Sequence, residues 1–384
     1  MSISIQSKLP SVGTTIFSVM SQRALEHGAL NLSQGFPDFP APERLRELLA
    51  EAVATGHNQY APLAGEQVLR EAIAVKTHAL YGHRVDAATE ITVTSGATEA
   101  LFAAISAVVR LGDEVIVFDP AYDAYEPAIT LAGGRARHLP LWPPDFRVDW
   151  DRVRDALTAN TRLIILNSPH NPSGAILEAT DLEALVQITR DTDVLLLGDE
   201  VYEHIVFDRE EHQSLLRHPE LAARSFVVSS FGKTYHCTGW KVGYCIAPPA
   251  LTAELRKVHQ YLTFSTMTPA QIAFAHFMTE QPEHHIQLPA FYQAKRDRFC
   301  ELLQRSRFRF KPARGTYFQL LDYSELSDSA DMDYADHLTV SAGVASIPIS
   351  VFYQQPPPRQ RLLRFCFAKS DVTLEQAGAR LSAL

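Results

Sequence analysis

The chain has 384 residues, of which 46% are hydrophobic and 21% are charged, and its formal net charge is -9. This composition is typical of a globular protein with one large core, or with a large and a small domain that share a cleft. The acidic balance and the absence of a basic stripe argue against nucleic acid or an anionic membrane as a partner.

The four cysteines lie far apart without paired spacing, which argues against a zinc site and against a disulfide framework. The N-terminal segment lacks a basic patch followed by an apolar core. No run reaches the roughly 18 apolar residues that a membrane span needs. We therefore expect a cytoplasmic protein without a metal site that is neither exported nor bound to a membrane.

Seven short apolar runs follow one another through the middle of the chain, with helical segments between several of them. They span residues 90–96, 114–120, 135–141, 162–169, 193–200, 225–232 and 241–248. This alternation predicts an α/β fold with a seven-stranded, mostly parallel sheet and crossover helices.

The last two runs are separated by too few residues for a parallel connection, which takes about a dozen or more. We therefore expect the last strand to run antiparallel to its neighbour. An antiparallel strand begins at the edge where its parallel neighbours end. This arrangement would bring Lys241 beside Lys233.

The pattern changes after about residue 250 to long helical stretches, followed by strand-like runs at 307–324, 344–352 and 361–368 and a helix from Thr373. Strands grouped with helices predict a smaller α+β domain. The expected division is an N-terminal arm that forms part of the small domain, a large α/β domain, and the small C-terminal domain, at 1–40, 41–285 and 286–384.

Chemically useful groups follow most of the predicted strands. In open α/β sheets, ligands bind outside the carboxyl ends of the parallel strands. The residues found there are Ser95, Gly96, Ala97, Thr98, Tyr122, Asn167, Asn171, Asp199, Tyr202, Ser230 and Lys233. Lys233 is the most informative of them, because a primary amine at the mouth of a sheet can hold the aldehyde of pyridoxal 5'-phosphate.

Residues 95–98 would present free backbone N–H groups at a helix start to the phosphate, with the Ser230 hydroxyl and the Lys241 cation beside them. Taken alone, the glycine in this segment is equally typical of an ordinary strand-to-helix turn.

Asp199 follows an apolar strand, where a carboxylate is costly to bury without a cation. It would pair with the pyridine nitrogen and keep the ring an electron sink. The alternative is that Asp199 caps a helix.

Arg364 is the one charge inside an otherwise apolar strand, where a guanidinium suits a bidentate carboxylate partner. The alternative is an arginine on an edge strand whose side chain extends into solvent.

Tyr122 would stack on the cofactor ring, although an aromatic side chain after a strand also packs in many cores. Asn171 and Tyr202 would donate to the phenolic oxygen of the ring, although Asn171 also suits a turn.

Six motifs occur in order along nearly the whole chain: NLSQGFPDFPAP, NQYAPLAG, NSPHNPSG, DEVYEHI, SSFGKTYHCTGWKVGY and RFCFA. Together they resemble the class I/II, fold type I aminotransferases, in particular the kynurenine and bacterial methionine aminotransferase branch. The resemblance implies a transaminase that depends on pyridoxal 5'-phosphate and forms a homodimer.

The resemblance also implies roles for individual residues. Lys233 would bond covalently to the cofactor, Asp199 would bind its pyridine nitrogen, and Asn171 and Tyr202 its phenolic oxygen. The phosphate would be bound by Ser95, Gly96, Ala97, Thr98, Ser230 and Lys241, with Tyr60 from the other subunit. Arg364, Asn171 and the backbone of Gly35 would hold the substrate α-carboxylate. Many aspartate-type relatives have arginine where this chain has Lys241. The lysine presents a compact ammonium group in place of a planar guanidinium with several hydrogen-bond donors.

The residues that line the substrate side-chain pocket in the resembling family are apolar or aromatic here: Ile16, Phe17, Tyr60 and Phe264. This favours methionine, phenylalanine, tyrosine or kynurenine over dicarboxylates as amino donors to a 2-oxo acid, in a ping-pong reaction. Core packing is the alternative explanation for each of the four. Three other functions stay open: a cysteine-S-conjugate β-lyase, a non-enzymatic regulator that binds pyridoxal phosphate, and an unrelated α/β binding protein.

Overall fold

A computed structural model describes residues 5–384. This part of the chain forms twelve strands, which are β1 (Leu30–Asn31), β2 (Ile91–Thr94), β3 (Glu114–Asp119), β4 (Arg135–Pro140), β5 (Thr161–Asn167), β6 (Leu195–Asp199), β7 (Ser225–Ser230), β8 (Gly243–Ile246), β9 (Phe318–Asp322), β10 (Val344–Ala345), β11 (Ile347–Pro348) and β12 (Leu362–Cys366).

The same residues form fourteen α-helices, which are α1 (Ile16–Glu26), α2 (Glu43–Ala54), α3 (Gln67–Tyr81), α4 (Gly96–Val108), α5 (Tyr125–Leu131), α6 (Trp150–Ala156), α7 (Ala179–Thr189), α8 (Pro219–Ala222), α9 (Phe231–Thr234), α10 (Pro249–Leu262), α11 (Thr268–Glu280), α12 (His284–Leu303), α13 (Asp331–His337) and α14 (Asp371–Ser382). Short 3₁₀-helices and one π-helix are Leu215–Arg217, Thr238–Trp240, Ser350–Phe352 and Leu338–Ala342. None of these helices is both long enough and apolar enough to cross a membrane.

The central sheet has seven strands in the order β2-β8-β7-β6-β5-β3-β4. β8 is antiparallel to both of its neighbours, and all other pairs are parallel. Each of the seven apolar runs coincides with one of these strands, with β5 beginning one residue before its run, so the predicted sheet is confirmed. Ser230 at the end of β7 pairs with Gly243 at the start of β8. The short connection between these two strands carries Lys233 and Lys241.

The strands of this sheet are apolar almost throughout because helices cover both of its faces. Side chains alternate between the faces along β3. Val115 and Val117 belong to the core cluster formed with α4, α5 and α10, whereas Ile116 belongs to the larger cluster on the opposite face. Burial on both faces leaves only the strand ends free to carry polar chemistry.

A second sheet is antiparallel, with three strands in the order β11-β12-β9. β1 pairs in parallel with β10, with Leu30 opposite Val344, so the N-terminal segment lies against the C-terminal part of the chain. The division of the chain at 40 and 285 stays a prediction.

Two predicted elements differ from the structure. The strand-like run at 307–324 forms a strand only at β9, and Arg309 and Gly315 make isolated bridges with Asp322 and Val206. Pro312 lies between these two bridges and has no backbone N–H to donate. The last helix begins at Asp371 rather than Thr373, because the Ser370 hydroxyl accepts a hydrogen bond from the Thr373 N–H and caps the helix earlier.

Candidate active site

A pocket of about 180 Å³ lies at the carboxyl ends of the parallel strands of the central sheet. Ten of the predicted cofactor residues line it, namely Gly96, Ala97, Thr98, Tyr122, Asn171, Asp199, Tyr202, Ser230, Lys233 and Lys241. Ser95 directly precedes α4 and adjoins this lining. The strand-end rule therefore selected residues that the fold brings together.

One side of the pocket is an anion site built from a helix start and a cation. α4 begins at Gly96, whose φ is +77°, and a side chain there would meet the Lys241 ammonium at 3.3 Å. Gly243 allows β8 to approach this helix, because a Cβ at position 243 would lie 2.8 Å from the backbone nitrogen of Ala97. Free N–H groups, the helix dipole and the Lys241 charge all favour a phosphate here.

Lys233 lies on α9, which begins after β7 and is capped by the Ser230 hydroxyl, the acceptor of the Gly232 N–H at 3.2 Å. Its Nζ donates to the carbonyl oxygen of Gly35 at 3.2 Å and lies 5.5 Å from the centre of the Tyr202 ring. Burial lowers the pKa of Lys233 to about 8. A larger fraction of this amine is neutral at physiological pH than in a free lysine, which makes it a better nucleophile.

Asp199 ends β6 and is buried, and this burial raises the pKa of its carboxyl to about 6. Its Oδ2 accepts a hydrogen bond from the Tyr125 hydroxyl at 2.6 Å, whereas its Oδ1 is buried without a partner. Buried acceptors almost always have a donor, so this oxygen is available to accept a hydrogen bond from a ligand. The helix-cap alternative is wrong, because residues 201–204 form turns rather than a helix.

Arg364 lies in the central strand of the second sheet and only 1% of it is exposed, so the edge-strand alternative is wrong. Its guanidinium donates to Asn171 Oδ1 at 2.8 Å and to the carbonyl oxygen of Ser33 at 2.7 Å, while Nε is buried without a partner. Phe318 covers it at 3.9 Å. Burial lowers the pKa of Arg364 to about 10, so it stays charged at neutral pH and can bind a carboxylate.

The predicted substrate residues fall into two groups. Phe17 lies 5.2 Å from the Arg364 guanidinium, and Ile16 precedes it at the start of α1. Tyr60 and Phe264 do not line the pocket of this chain; they are 84% and 47% exposed, and their rings meet edge to face at 5.4 Å.

The sequence assigned no role to Tyr125 or Phe318. Tyr125 lies three residues after Tyr122, at the start of α5, and this proximity in sequence is the signal that could identify it. Asn167 was recognised as a strand-end residue without a function. It accepts the backbone N–H of Asn171 and donates to the carbonyl oxygen of Asp199, both at 2.8 Å, and so connects two predicted cofactor residues.

Comparison with known families identifies the chain. The family model for aminotransferase class I and II matches residues 28–381. The chain is a class I and II aminotransferase. The predicted family is therefore confirmed, and the two non-catalytic alternatives are wrong.

This aminotransferase is 55% identical to the methionine aminotransferase of Escherichia coli (strain K12), over 99% of this chain and 98% of that protein. It is 39% identical to the probable N-succinyldiaminopimelate aminotransferase DapC of Mycobacterium tuberculosis, over 98% of each. Its identity to the kynurenine–oxoglutarate transaminase of Dictyostelium discoideum is 33%, over 97% of this chain and 95% of that protein. A crystal structure from Escherichia coli, described as identifying a methionine aminotransferase function, superposes with a TM-score of 0.98 at 55% identity over 100% of both chains.

Class I and II aminotransferases depend on pyridoxal 5'-phosphate. The residues of the pocket fit this cofactor, because Asp199 Oδ1 lacks a donor and the start of α4 with Lys241 suits a phosphate. Lys233 lines the same pocket as both of these groups.

Proposed function

We propose that this aminotransferase transfers the amino group of an apolar, sulfur-containing or aromatic L-amino acid, methionine foremost, to a 2-oxo acid by a ping-pong reaction. The observation that carries this proposal is the set of aromatic rings around Arg364. Phe318, Phe17 and Phe352 lie 3.9, 5.2 and 5.8 Å from its guanidinium. The similarity to the Escherichia coli methionine aminotransferase supports the same substrate.

These surroundings favour an apolar substrate for a physical reason. An amino acid whose α-carboxylate binds Arg364 would place its side chain close to these rings. A thioether or an aromatic side chain interacts favourably with aromatic faces. A second carboxylate among them would lose its hydration without a cation to replace it.

The cofactor would be held by groups at the ends of five strands, β2, β3, β5, β6 and β7, and by Lys241 before β8. We assign the phosphate to residues 95–98, Ser230 and Lys241, and the pyridine nitrogen to Asp199. Tyr202 and Asn171 would donate to the phenolic oxygen, and Tyr122 would stack on the ring. When bound, pyridoxal phosphate supplies an electron sink that stabilises negative charge at the substrate Cα.

The side chains of the pocket have separate roles in the proposed reaction. Arg364 and Asn171 orient the substrate through its carboxylate, which directs the Cα–H bond toward Lys233. Lys233 Nζ, when it is not bonded to the cofactor, would accept the substrate Cα proton and would later donate it. The ionised Asp199 would favour the protonated form of the pyridine nitrogen.

A half-reaction screen tests the substrate proposal. The purified enzyme is mixed with single amino acids, and the loss of the visible absorbance of the bound cofactor is followed. Methionine and the aromatic amino acids should react at least about tenfold faster than aspartate or glutamate, because the pocket discriminates by apolar contact. Faster reaction with the dicarboxylates would contradict the proposal. Pyruvate release from a cysteine S-conjugate, in excess over its 2-oxo acid, would instead indicate the β-lyase.

We also propose that the enzyme is a homodimer in which Tyr60 reaches the phosphate site of the other subunit. Tyr60, Tyr261 and Phe264 are 84%, 85% and 47% exposed, and such an aromatic patch is typical of an interaction surface. Gel filtration with light scattering should give twice the monomer mass, and Tyr60→Ala should weaken cofactor binding. An active monomer would remove this proposal.

A cytoplasmic location is part of the proposal. All four cysteines are free and buried. Reducing compartments keep thiols unpaired, so this state of the cysteines supports the location.

A further inference from the structure

A buried histidine connects the cofactor pocket with the loop that carries Tyr60. His259 lies near the end of α10, and 0% of its surface is exposed. Its Nδ1 lies 2.9 Å from Glu99 Oε1, and its Nε2 lies 3.0 Å from the carbonyl oxygen of Leu63. The mechanism described above makes no use of either side chain.

Glu99 lies in the first turn of α4, the helix whose start lines the pocket. Its Oε2 accepts the backbone N–H of Ser95 at 2.9 Å, so the carboxylate lies at the N-terminal end of the helix. A helix N-terminus stabilises one anion at this position. A bound phosphate would be a second anion at the same helix end, and an uncompensated Glu99 would repel it.

The hydrogen bonds of His259 determine how many protons it shares with Glu99. A carbonyl oxygen only accepts, so Nε2 must donate to Leu63. One further proton then lies between Nδ1 and the Glu99 carboxylate, whichever atom carries it. In either arrangement the two side chains together have no net charge.

The backbone of His259 makes a second connection. Its carbonyl oxygen accepts the N–H groups of Thr263 and Phe264, both at 3.1 Å, and so holds the turn after α10. One residue thus contacts the start of α4 through Glu99, the loop of Tyr60 through Leu63, and the turn that carries Phe264.

We propose that His259 is a positioning residue for the cofactor phosphate, which neutralises Glu99 and ties the start of α4 to the loop at 57–65. This inference rests on the proposed function, because it takes the start of α4 as the phosphate site. Without the His259 side chain, the carboxylate of Glu99 would remain charged beside the phosphate.

The affinity of the apoenzyme for pyridoxal 5'-phosphate and for pyridoxal tests this role, because the two ligands differ only in the phosphate. His259→Gln should weaken binding of pyridoxal 5'-phosphate about tenfold or more and that of pyridoxal less than about threefold. A histidine that merely supports packing would weaken both equally. The double variant H259Q/E99Q should recover most of the lost affinity for pyridoxal 5'-phosphate, because no carboxylate remains at position 99 to repel the phosphate.

Arg256→Lys is the matched control. Arg256 lies one turn before His259 on α10 and donates to Thr92 Oγ1 at 3.0 Å and to the carbonyl oxygen of Ile91 at 2.7 Å, and neither group belongs to α4. This variant should leave the ratio of the two affinities unchanged. Equal weakening of both ligands in H259Q, or no recovery in the double variant, would overturn the proposal.

Lys241→Met separates this inference from the proposed function. If this variant keeps the full preference for pyridoxal 5'-phosphate, the phosphate site itself is misassigned. If Lys241→Met loses the preference for pyridoxal 5'-phosphate over pyridoxal and H259Q keeps that preference, the phosphate site is correct and only the role of His259 is wrong.

Thermal unfolding of each apoenzyme checks that the variants fold. If H259Q does not fold, Glu99→Gln alone still tests the proposal, because it keeps the size of the side chain and a neutral pair. The affinity ratio in E99Q should stay within about twofold of the wild-type ratio. A tenfold fall in that ratio would overturn the proposal.

Discussion

Lys233→Ala is expected to reduce the rate of transamination by about 10⁴-fold or more while the protein stays folded, because the variant loses both the covalent attachment point and the proton carrier. The Lys233 amine donates to the Gly35 carbonyl and lies near the rings of Tyr202 and Tyr317. Both rings belong to the larger hydrophobic core cluster, and Lys233 itself does not, so the substitution leaves the members of that cluster in place. The rate is measured as 2-oxo acid formed from methionine. Retained transamination would refute the assignment.

Lys233→Arg is the matched control for charge. It keeps a cation in the pocket but cannot act as a neutral amine near pH 7. Loss of activity in both variants would assign the effect to the amine rather than to its charge.

The pKa of Lys233 adds a pH dependence in the wild-type apoenzyme. Because burial lowers this pKa to about 8, attachment of the cofactor aldehyde should accelerate as the pH rises through about 8 and then level off. An ordinary lysine would still accelerate well above that pH.

Lys76→Met is expected to lower the free energy of unfolding by about 3–5 kcal/mol, because it leaves a buried carboxylate without its cation. Lys76 Nζ lies 2.7 Å from Glu203 Oε1, and the two side chains are only 7% and 3% exposed. Tyr81 and Ser229 also donate to this carboxylate. Burial alone would raise the pKa of Glu203, but the charge of Lys76 and the hydrogen bonds from Lys76 and Ser229 hold it well below its usual value. Denaturant unfolding of the apoenzyme measures the change.

An exposed ion pair provides the control for this experiment. Lys257 and Glu254 lie 2.6 Å apart, with side chains that are 69% and 49% exposed. Lys257→Met should cost no more than about 1 kcal/mol, because water screens the pair. The double variant K76M/E203Q should be more stable than K76M alone. Equal effects of the two single substitutions would show that burial of the Lys76 pair contributes nothing.

The positions of the seven strands along the chain and the residues at their ends could be predicted because both are local properties. An apolar run that is buried on both faces can carry polar side chains only where it ends, and Asp199 and Lys233 stand at such ends. Arg364 was recognisable because a charge inside an apolar strand needs a partner. The antiparallel β8 followed from the length of its connection alone.

Other parts of the site depend on residues far apart in the chain. Tyr125 reaches Asp199 across 74 positions, and His259 reaches Glu99 across 160. Periodicity and spacing carry no information about which distant side chains will meet. The contact between the Phe318 ring and the Arg364 guanidinium likewise forms only when β9 and β12 pair.

The sequence by itself determined the α/β class, the seven strands, the family and the set of candidate cofactor residues, because local pattern and motif specify these. Only the tertiary structure decided that Asp199 keeps an unpartnered oxygen, that Arg364 lies in a central strand among aromatic rings, and that Tyr60 is exposed and does not line the pocket of its own chain. These properties depend on burial and on contacts between distant segments, which arise only when the two sheets and the covering helices pack together.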